Sequence, residues 1–229
     1  MEQVVFLDIG KTLLIADMLS PPKAVAHILH LKNYEYNGLR KIIFCRNHTN
    51  VFSLINDLEK YISRKLSFEE SSQIVDLWDK QKRVASPIDG AQDFINWLDS
   101  GPFKVHLVSN LWYPFWEAFV HFFPALIEKW SVTLSFNCGF MKPHKGIYKQ
   151  ALKEAEASPS QVIMIGDSFE KDILPAVEMG MKAIWIQGNQ NNSPKSLIQY
   201  KHLIRVATDL FDIKNNILNK GDNLCLTLK

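Results

Sequence analysis

Short apolar runs recur along this chain, and each spans only four or five residues. A run that is continuous rather than alternating, and rich in β-branched residues, is typical of a strand buried on both faces of a sheet. We therefore predict strands at residues 4–7, 105–108, 132–136, 162–165, 183–186 and 203–206.

Segments with helical periodicity separate the later strands. They lie at residues 91–98, 115–129, 146–157, 169–179 and 210–218. Strands that alternate with helices in this way predict an α/β fold with a parallel, doubly wound sheet.

The region from residue 14 to residue 85 breaks this alternation. It shows helical periodicity, for example at 51–65 and 68–84, and few signals of β-strands. Ser86-Pro87 marks its far end, where a turn is expected. We predict two domains: a core of residues 1–13 and 87–229, and a helical insert of residues 14–86.

Composition narrows the range of partners. The hydrophobic fraction is 47% and the charged fraction 22%, an ordinary balance for a globular protein. A formal net charge of +2 gives no strong field that would attract nucleic acid or an anionic membrane. No apolar stretch approaches the length of a membrane span. We expect neither nucleic acid nor a membrane as a partner.

The cysteines indicate the compartment. Cys45, Cys138 and Cys225 are odd in number and form no CxxC pair, a pattern that favours neither a disulfide framework nor a zinc site. Reduced thiols in a cytosol fit this pattern best. The N-terminus has no basic segment, and the run at 4–7 is too short for a signal peptide. We expect a cytoplasmic protein.

Polar residues stand where predicted strands end. Asp8, Ser109 and Asp167 each follow a strand, and Lys142 follows another through a loop. In an open parallel sheet the ligand crevice lies outside the carboxyl ends of the strands. We therefore expect these residues, which are far apart in sequence, to converge.

The residue types predict phosphate chemistry with a metal. Asp8 precedes a glycine-containing turn, where a carboxylate can act as a nucleophile and backbone N–H groups can bind phosphate. Asp172 lies about one helical turn beyond Asp167, so both can join Asp8 in an oxygen cluster suited to Mg²⁺. A hydroxyl at Ser109 and an ammonium group at Lys142 can bind phosphate oxygens.

The order of these residues resembles the four motifs of the haloacid dehalogenase-like (HAD) hydrolase superfamily. Thr12 fits the first motif, and residues 139–143 look like the third. The resemblance covers about residues 1–13 and 87–218. It implies a Rossmann-like core with a helical cap domain, an aspartyl-enzyme intermediate and, usually, a small phosphorylated substrate.

The resemblance also implies a role for each matching residue. The catalytic residues would be Asp8 and Lys142, and the phosphate contacts would come from Ser109, Asn110 and Lys142. The cofactor would be Mg²⁺, bound by Asp8, the carbonyl of Gly10, Asp167 and Asp172.

One position departs from the family's pattern. Its phosphatases usually carry a second Asp two residues after the nucleophile, which protonates the leaving group and then activates water. This chain has Gly10 there. Loss of a general acid costs about 10²–10⁴ in rate. Either the substrate has a good leaving group, another residue such as His144 supplies the proton, or the protein is a weak phosphatase.

Two other functions stay open. Relatives with a different residue at the position of Gly10 cleave carbon–halogen or carbon–phosphorus bonds. In such an enzyme Arg40 would bind a substrate carboxylate, or Lys41 would form a Schiff base. A non-catalytic binding or regulatory protein on the same fold is the other alternative, and the retained acidic cluster argues against it.

Overall fold

The structure, a computed structural model, describes residues 3–32, 35–188, 194 and 196–218. Its strands are β1 (Gln3–Leu7), β2 (Leu14–Ala16), β3 (Ala85–Pro87), β4 (Phe103–Ser109), β5 (Ser131–Leu134), β6 (Val162–Gly166), β7 (Lys182–Ile186) and β8 (Ile204–Ala207). Cys225 and residues 219–229 of the predicted core lie outside the described residues.

Six of these strands form one parallel sheet in the order β5-β4-β1-β6-β7-β8. Strands β4 and β5 lie on one side of β1 in the sheet, and the later strands β6, β7 and β8 lie on the other side. The carboxyl ends of β1, β4 and β6 therefore lie side by side where the strand order reverses, the usual ligand position in such sheets. This confirms the predicted doubly wound parallel sheet.

Strand β1 is central because both of its faces are apolar. Val5 and Leu7 join one hydrophobic cluster, and Val4 and Phe6 join a second cluster on the opposite face. Side chains of successive residues in a strand point to opposite faces, so a continuous apolar run fills both layers.

The described helices cover these layers and the insert. They are α1 (Pro21–Ile28), α2 (Tyr36–Cys45), α3 (Val51–Ile62), α4 (Phe68–Val84), α5 (Ala91–Ser100), α6 (Tyr113–Phe122), α7 (Ser135–Cys138), α8 (Lys145–Glu154), α9 (Leu174–Glu178), α10 (Ser196–Gln199) and α11 (Leu210–Asp212). Among the described residues, no helix combines the length and apolar character that crossing a membrane requires.

The insert consists of α1–α4 between β2 and β3, which pair as an antiparallel ribbon. Helix α4 begins at a capping box in which Ser67 and Glu70 bond each other's backbone N–H groups. The insert packs on the core where the Trp112 indole donates to Gln81 Oε1 at 2.9 Å. The division into a core domain and a cap domain stays a prediction.

Several predicted boundaries were wrong. The strand predicted at 132–136 ends at Leu134, because α7 begins at Ser135. The helix predicted at 115–129 ends at Phe122, and a 3₁₀ turn begins at Pro124, whose ring and missing N–H disfavour an α-helix. The ribbon of β2 and β3 was not predicted, because three-residue strands carry almost no periodicity.

Candidate active site

Asp8 lies directly after β1 and is 5% exposed. Its backbone N–H donates to the carbonyl of Ile165 at 3.0 Å, which fixes it against β6. Its Oδ1 accepts hydrogen bonds from Ser109 Oγ at 2.7 Å and from Lys142 Nζ at 2.6 Å. Thr12 Oγ1 lies 3.5 Å from Oδ2. The carboxylate is thus oriented by the last residue of β4 and by groups from two separate loops.

A tight turn follows this carboxylate. The carbonyl of Ile9 accepts the N–H groups of Thr12, Leu13 and Leu14, at 3.3, 2.8 and 3.0 Å. The N–H of Lys11 donates to the carbonyl of Leu14 at 2.8 Å. This closure holds Lys11 at φ 61°, in the left-handed region. For a residue with a side chain that conformation costs on the order of 1–2 kcal/mol.

Lys142 is the buried cation of the site, with 2% of its surface exposed. Besides its bond to Asp8, Nζ donates to the carbonyl of Val108 at 2.8 Å. Nζ also lies 2.6 Å from Asp172 Oδ1. This contact is an ion pair, but its geometry is not that of a hydrogen bond. Burial lowers the pKa of the ammonium group, but the two carboxylates raise it by more. Lys142 is therefore charged.

The backbone of Lys142 is held by Asn110. The N–H of Lys142 donates to Asn110 Oδ1 at 2.7 Å, and Asn110 Nδ2 donates to the carbonyl of Lys142 at 2.9 Å. Because Asn110 follows β4, this pair of bonds ties the loop of Lys142 to the end of that strand. Asn110 also faces the solvent-accessible side of the site.

Asp172 is 1% exposed and lies within the π-helical turn Phe169–Ile173. Its Oδ2 accepts the N–H of Ser168 at 3.0 Å. A β-carbon on Gly166 would lie only 2.6 Å from Asp172 Cγ. Glycine is therefore required at the end of β6 for this carboxylate to approach the strand.

Asp8, Asp167 and Asp172 form an acidic cluster, in which one carboxylate oxygen of each lies within 4.8 Å of the others. Burial, followed by the neighbouring carboxylates, raises the pKa of Asp167 to about 7. Burial likewise raises the pKa of Asp172 to about 6. The charges of Lys142 and Lys11 lower the pKa of Asp167, but by less than burial and the carboxylates raise it. This excess of negative charge and hard oxygen donors fits a divalent cation.

The acidic cluster opens into a cleft of about 840 Å³. Its lining also includes Ser20, Lys171, Trp185 and Pro194. The structure brings most of the predicted site residues together here. The lining includes Asp8, Gly10, Asn110, Lys142, Asp167 and Asp172.

Ser109 differs from the others, because it is buried and its hydroxyl donates to Asp8. Its predicted contact with phosphate stays a prediction, as does the metal contact of the Gly10 carbonyl. A β-carbon on Gly10 would meet only Phe115 Cε1, at 3.8 Å, so a side chain fits at this position.

Three other candidates lie away from the cleft as far as the structure describes its lining. Arg40 and Lys41 are on α2 and do not line it. His144 caps α8, where its Nδ1 accepts the N–H of Gly146 at 3.0 Å, and its ring stacks on Phe140. This position does not favour His144 as a proton donor to a bound substrate.

Two supporting residues were not predicted. The hydroxyl of Tyr148, buried in the core, donates to the carbonyl of Lys171 and holds the π-helical turn. The Trp185 indole donates to the carbonyl of Asp167 at 3.0 Å. Nothing in the sequence marks Tyr148, whereas Trp185 lies on a predicted strand whose neighbour carries Asp167.

Comparison with known proteins links this geometry to a family. Residues 139–212 match the model of the HAD-hydrolase-like family, a segment that contains Lys142, Asp167 and Asp172. The putative HAD-hydrolase YfnB from Bacillus subtilis, in a structure bound to magnesium, superposes with a TM-score of 0.60 at 16% identity. The match covers 93% of this chain and 96% of that one, and it shows the fold.

Curated relatives match over part of the chain. The glyceraldehyde 3-phosphate phosphatase of Methanothermobacter thermautotrophicus is 27% identical over 124 residues, which are 51% of this chain and 52% of that protein. The pyrimidine 5'-nucleotidase YjjG of Escherichia coli is 25% identical over 121 residues, 50% of this chain and 51% of that protein. The chain thus spans about half the length of these relatives.

Proposed function

We propose that this chain, which has the fold of HAD-like hydrolases and matches their family model over residues 139–212, is a Mg²⁺-dependent phosphatase with Asp8 as its nucleophile. The observation that carries the proposal is the position of Asp8. Its carboxylate lines the cleft, accepts a hydrogen bond from Lys142 and belongs to the acidic cluster. The phosphatase and nucleotidase names of the relatives support a small phosphorylated substrate.

In this proposal a carboxylate oxygen of Asp8 forms a bond to phosphorus as the ester oxygen leaves with the bonding electron pair. Lys142, held by Asn110, offsets charge at Asp8 and near the phosphate. Water then attacks phosphorus, the bond to Asp8 breaks, and phosphate leaves. The proton that this water releases balances the one that the departing alkoxide takes up to become the alcohol.

The metal would be held by Asp8, Asp167 and Asp172, with the carbonyl of Gly10 as a further ligand. When bound, Mg²⁺ supplies positive charge to the phosphate oxygens. The raised pKa values of Asp167 and Asp172 support this assignment, because the crowded carboxylates need a counter-charge. The magnesium in YfnB belongs to a protein of the same fold.

We expect Mg²⁺ to raise the melting temperature more at about pH 8 than at about pH 5.5. Carboxyl pKa values are near 3.9 in unfolded chains. The pKa values of Asp167 and Asp172 are raised in the fold, so their contribution to stability is present below pH 4 and is lost as pH rises through 6 and 7. Mg²⁺ binds the ionised forms and reverses this loss, whereas protons compete with it at low pH.

Calorimetry should also give a Kd for Mg²⁺ that is roughly ten-fold or more higher at the lower pH. Asp167→Asn should remove most of the dependence of this Kd on pH and should stabilise the metal-free protein at pH 8. An equal Mg²⁺ effect at both pH values would contradict the assignment of the acidic cluster to the metal.

The function is tested by phosphate release from a panel of small phosphate esters, with Mg²⁺ or with a chelator. We expect release with Mg²⁺ and none with the chelator. The panel should include a haloacid and an alkyl phosphonate as the competing substrates. Turnover of either of these, without phosphate ester hydrolysis, would replace the proposal. The positions of Arg40 and Lys41 away from the cleft give no support to that alternative.

The remaining predictions concern location and partners. A cytoplasmic location, and the absence of nucleic acid and membrane partners, stay predictions from composition and cysteine pattern.

A further inference from the structure

Lys11 combines an unfavourable backbone conformation with a place in the cleft. Among the described residues with a side chain, Lys11, His30, Ser63 and Glu156 have φ in the left-handed region. Of these, Lys11 alone lines the cleft. A strained residue persists only where its surroundings hold it, and such residues often have a functional role.

The ammonium group of Lys11 is available to a ligand. The side chain is exposed, and the described contacts give it no carboxylate partner within ion-pair distance. Lys142 differs, since two carboxylates already engage it. The cleft lining also includes the charged residues Glu170 and Lys171, and no described ion pair joins these two to each other or to Lys11. Lys11 is close enough to Asp167 to influence its ionisation.

Lys11 also follows Gly10, the position without an acidic side chain. The space beside Gly10 is open apart from Phe115 at 3.8 Å. A leaving oxygen that develops negative charge in this part of the cleft finds no carboxylic acid at Gly10. The next residue in the chain presents a cation to the same cleft.

We propose that Lys11 is a catalytic residue whose ammonium group binds the oxygen that leaves phosphorus. This rests on the proposed phosphatase function. As Asp8 bonds to phosphorus, the P–O bond of the ester breaks and its electron pair stays on the departing oxygen. Lys11 keeps its proton and stabilises this anion by charge, as an oxyanion-binding group does. Solvent then protonates the departing alkoxide, which leaves as the alcohol.

The test compares Lys11→Gly with Glu156→Gly, because both relieve a left-handed backbone and only the first removes a side chain from the cleft. Glu156 is exposed and lies just beyond α8. Single-turnover rates are measured with ethyl phosphate and with para-nitrophenyl phosphate, and melting temperatures are recorded.

We expect both glycine variants to melt no lower than the wild type. Lys11→Gly should lose about ten-fold in rate on ethyl phosphate and less than about two-fold on para-nitrophenyl phosphate, whose leaving group needs little help. Glu156→Gly should change neither rate. Lys11→Met should match Lys11→Gly in rate, and Lys11→Arg should recover part of the loss by keeping the charge.

Equal losses on both esters, or no loss on either, would overturn the role of Lys11 and leave the phosphatase proposal intact. Absence of hydrolysis of any ester by the wild type would remove both proposals.

Discussion

Replacing Asp8 with asparagine is expected to lower phosphate release by at least about 10³-fold and to leave the protein folded. The amide has nearly the same size as the carboxylate and can keep an oxygen toward Ser109 and Lys142. It is a very weak nucleophile, so the aspartyl intermediate cannot form. The measurement is phosphate release by wild type and variant, with binding of Mg²⁺ recorded in parallel.

The stability of this variant separates a catalytic role from a structural one. The carboxylate of Asp8 contributes to the raised pKa values of Asp167 and Asp172, so its removal relieves repulsion in the metal-free protein. We expect the melting temperature without metal to stay equal or rise. Asp79→Asn, at an exposed position on α4, is the matched control and should change neither phosphate release nor the melting temperature. Retention of activity within about ten-fold in Asp8→Asn would contradict its role as nucleophile.

Gly10→Asp is expected to speed hydrolysis of alkyl phosphates by roughly ten-fold or more, a conservative figure for general-acid catalysis. The wild type should accordingly prefer aryl and acyl phosphates, whose leaving groups depart without a proton. The new side chain fits, because Gly10 does not adopt a left-handed φ and a β-carbon there would make ordinary contact with Phe115.

Gly10→Asn is the control for this gain, since it has the same size and no acid. Matched aryl and alkyl esters are assayed with the wild type and both variants. Equal wild-type rates on the two esters, with no gain in a folded Gly10→Asp protein, would mean that another residue already supplies the proton. His144 caps α8 away from the described cleft lining, which does not favour it for that role.

The strands of the sheet and the residues at their carboxyl ends could be predicted from local sequence. A buried parallel strand such as β6 is a continuous apolar run, so its position and its end at Gly166 can be predicted. Once the strands are ordered, Asp8 and Asp167 must meet, because β1 and β6 are neighbours. The proximity of Asp8 and Asp167 could therefore be predicted without knowing any side-chain contact.

The interactions within the site could not be predicted in the same way. The bond from Lys142 to Asp8 joins residues 134 apart in sequence. It depends on the bonds that Asn110 makes with the backbone of Lys142. The left-handed conformation of Lys11 follows from the hydrogen bonds of a turn, which favour a backbone that its residue type alone does not predict.

The central claim is that Asp8 becomes phosphorylated, and rapid-quench analysis of para-nitrophenyl phosphate hydrolysis tests it most directly. Without an acid at Gly10, the attacking water lacks the group that would activate it, so breakdown of the intermediate should be slow. We predict a burst of nitrophenol stoichiometric with the enzyme, and a phosphoryl group on Asp8 by mass spectrometry of quenched peptides. Steady release from the first turnover, with no phosphorylated Asp8 in the quenched enzyme, would contradict the account.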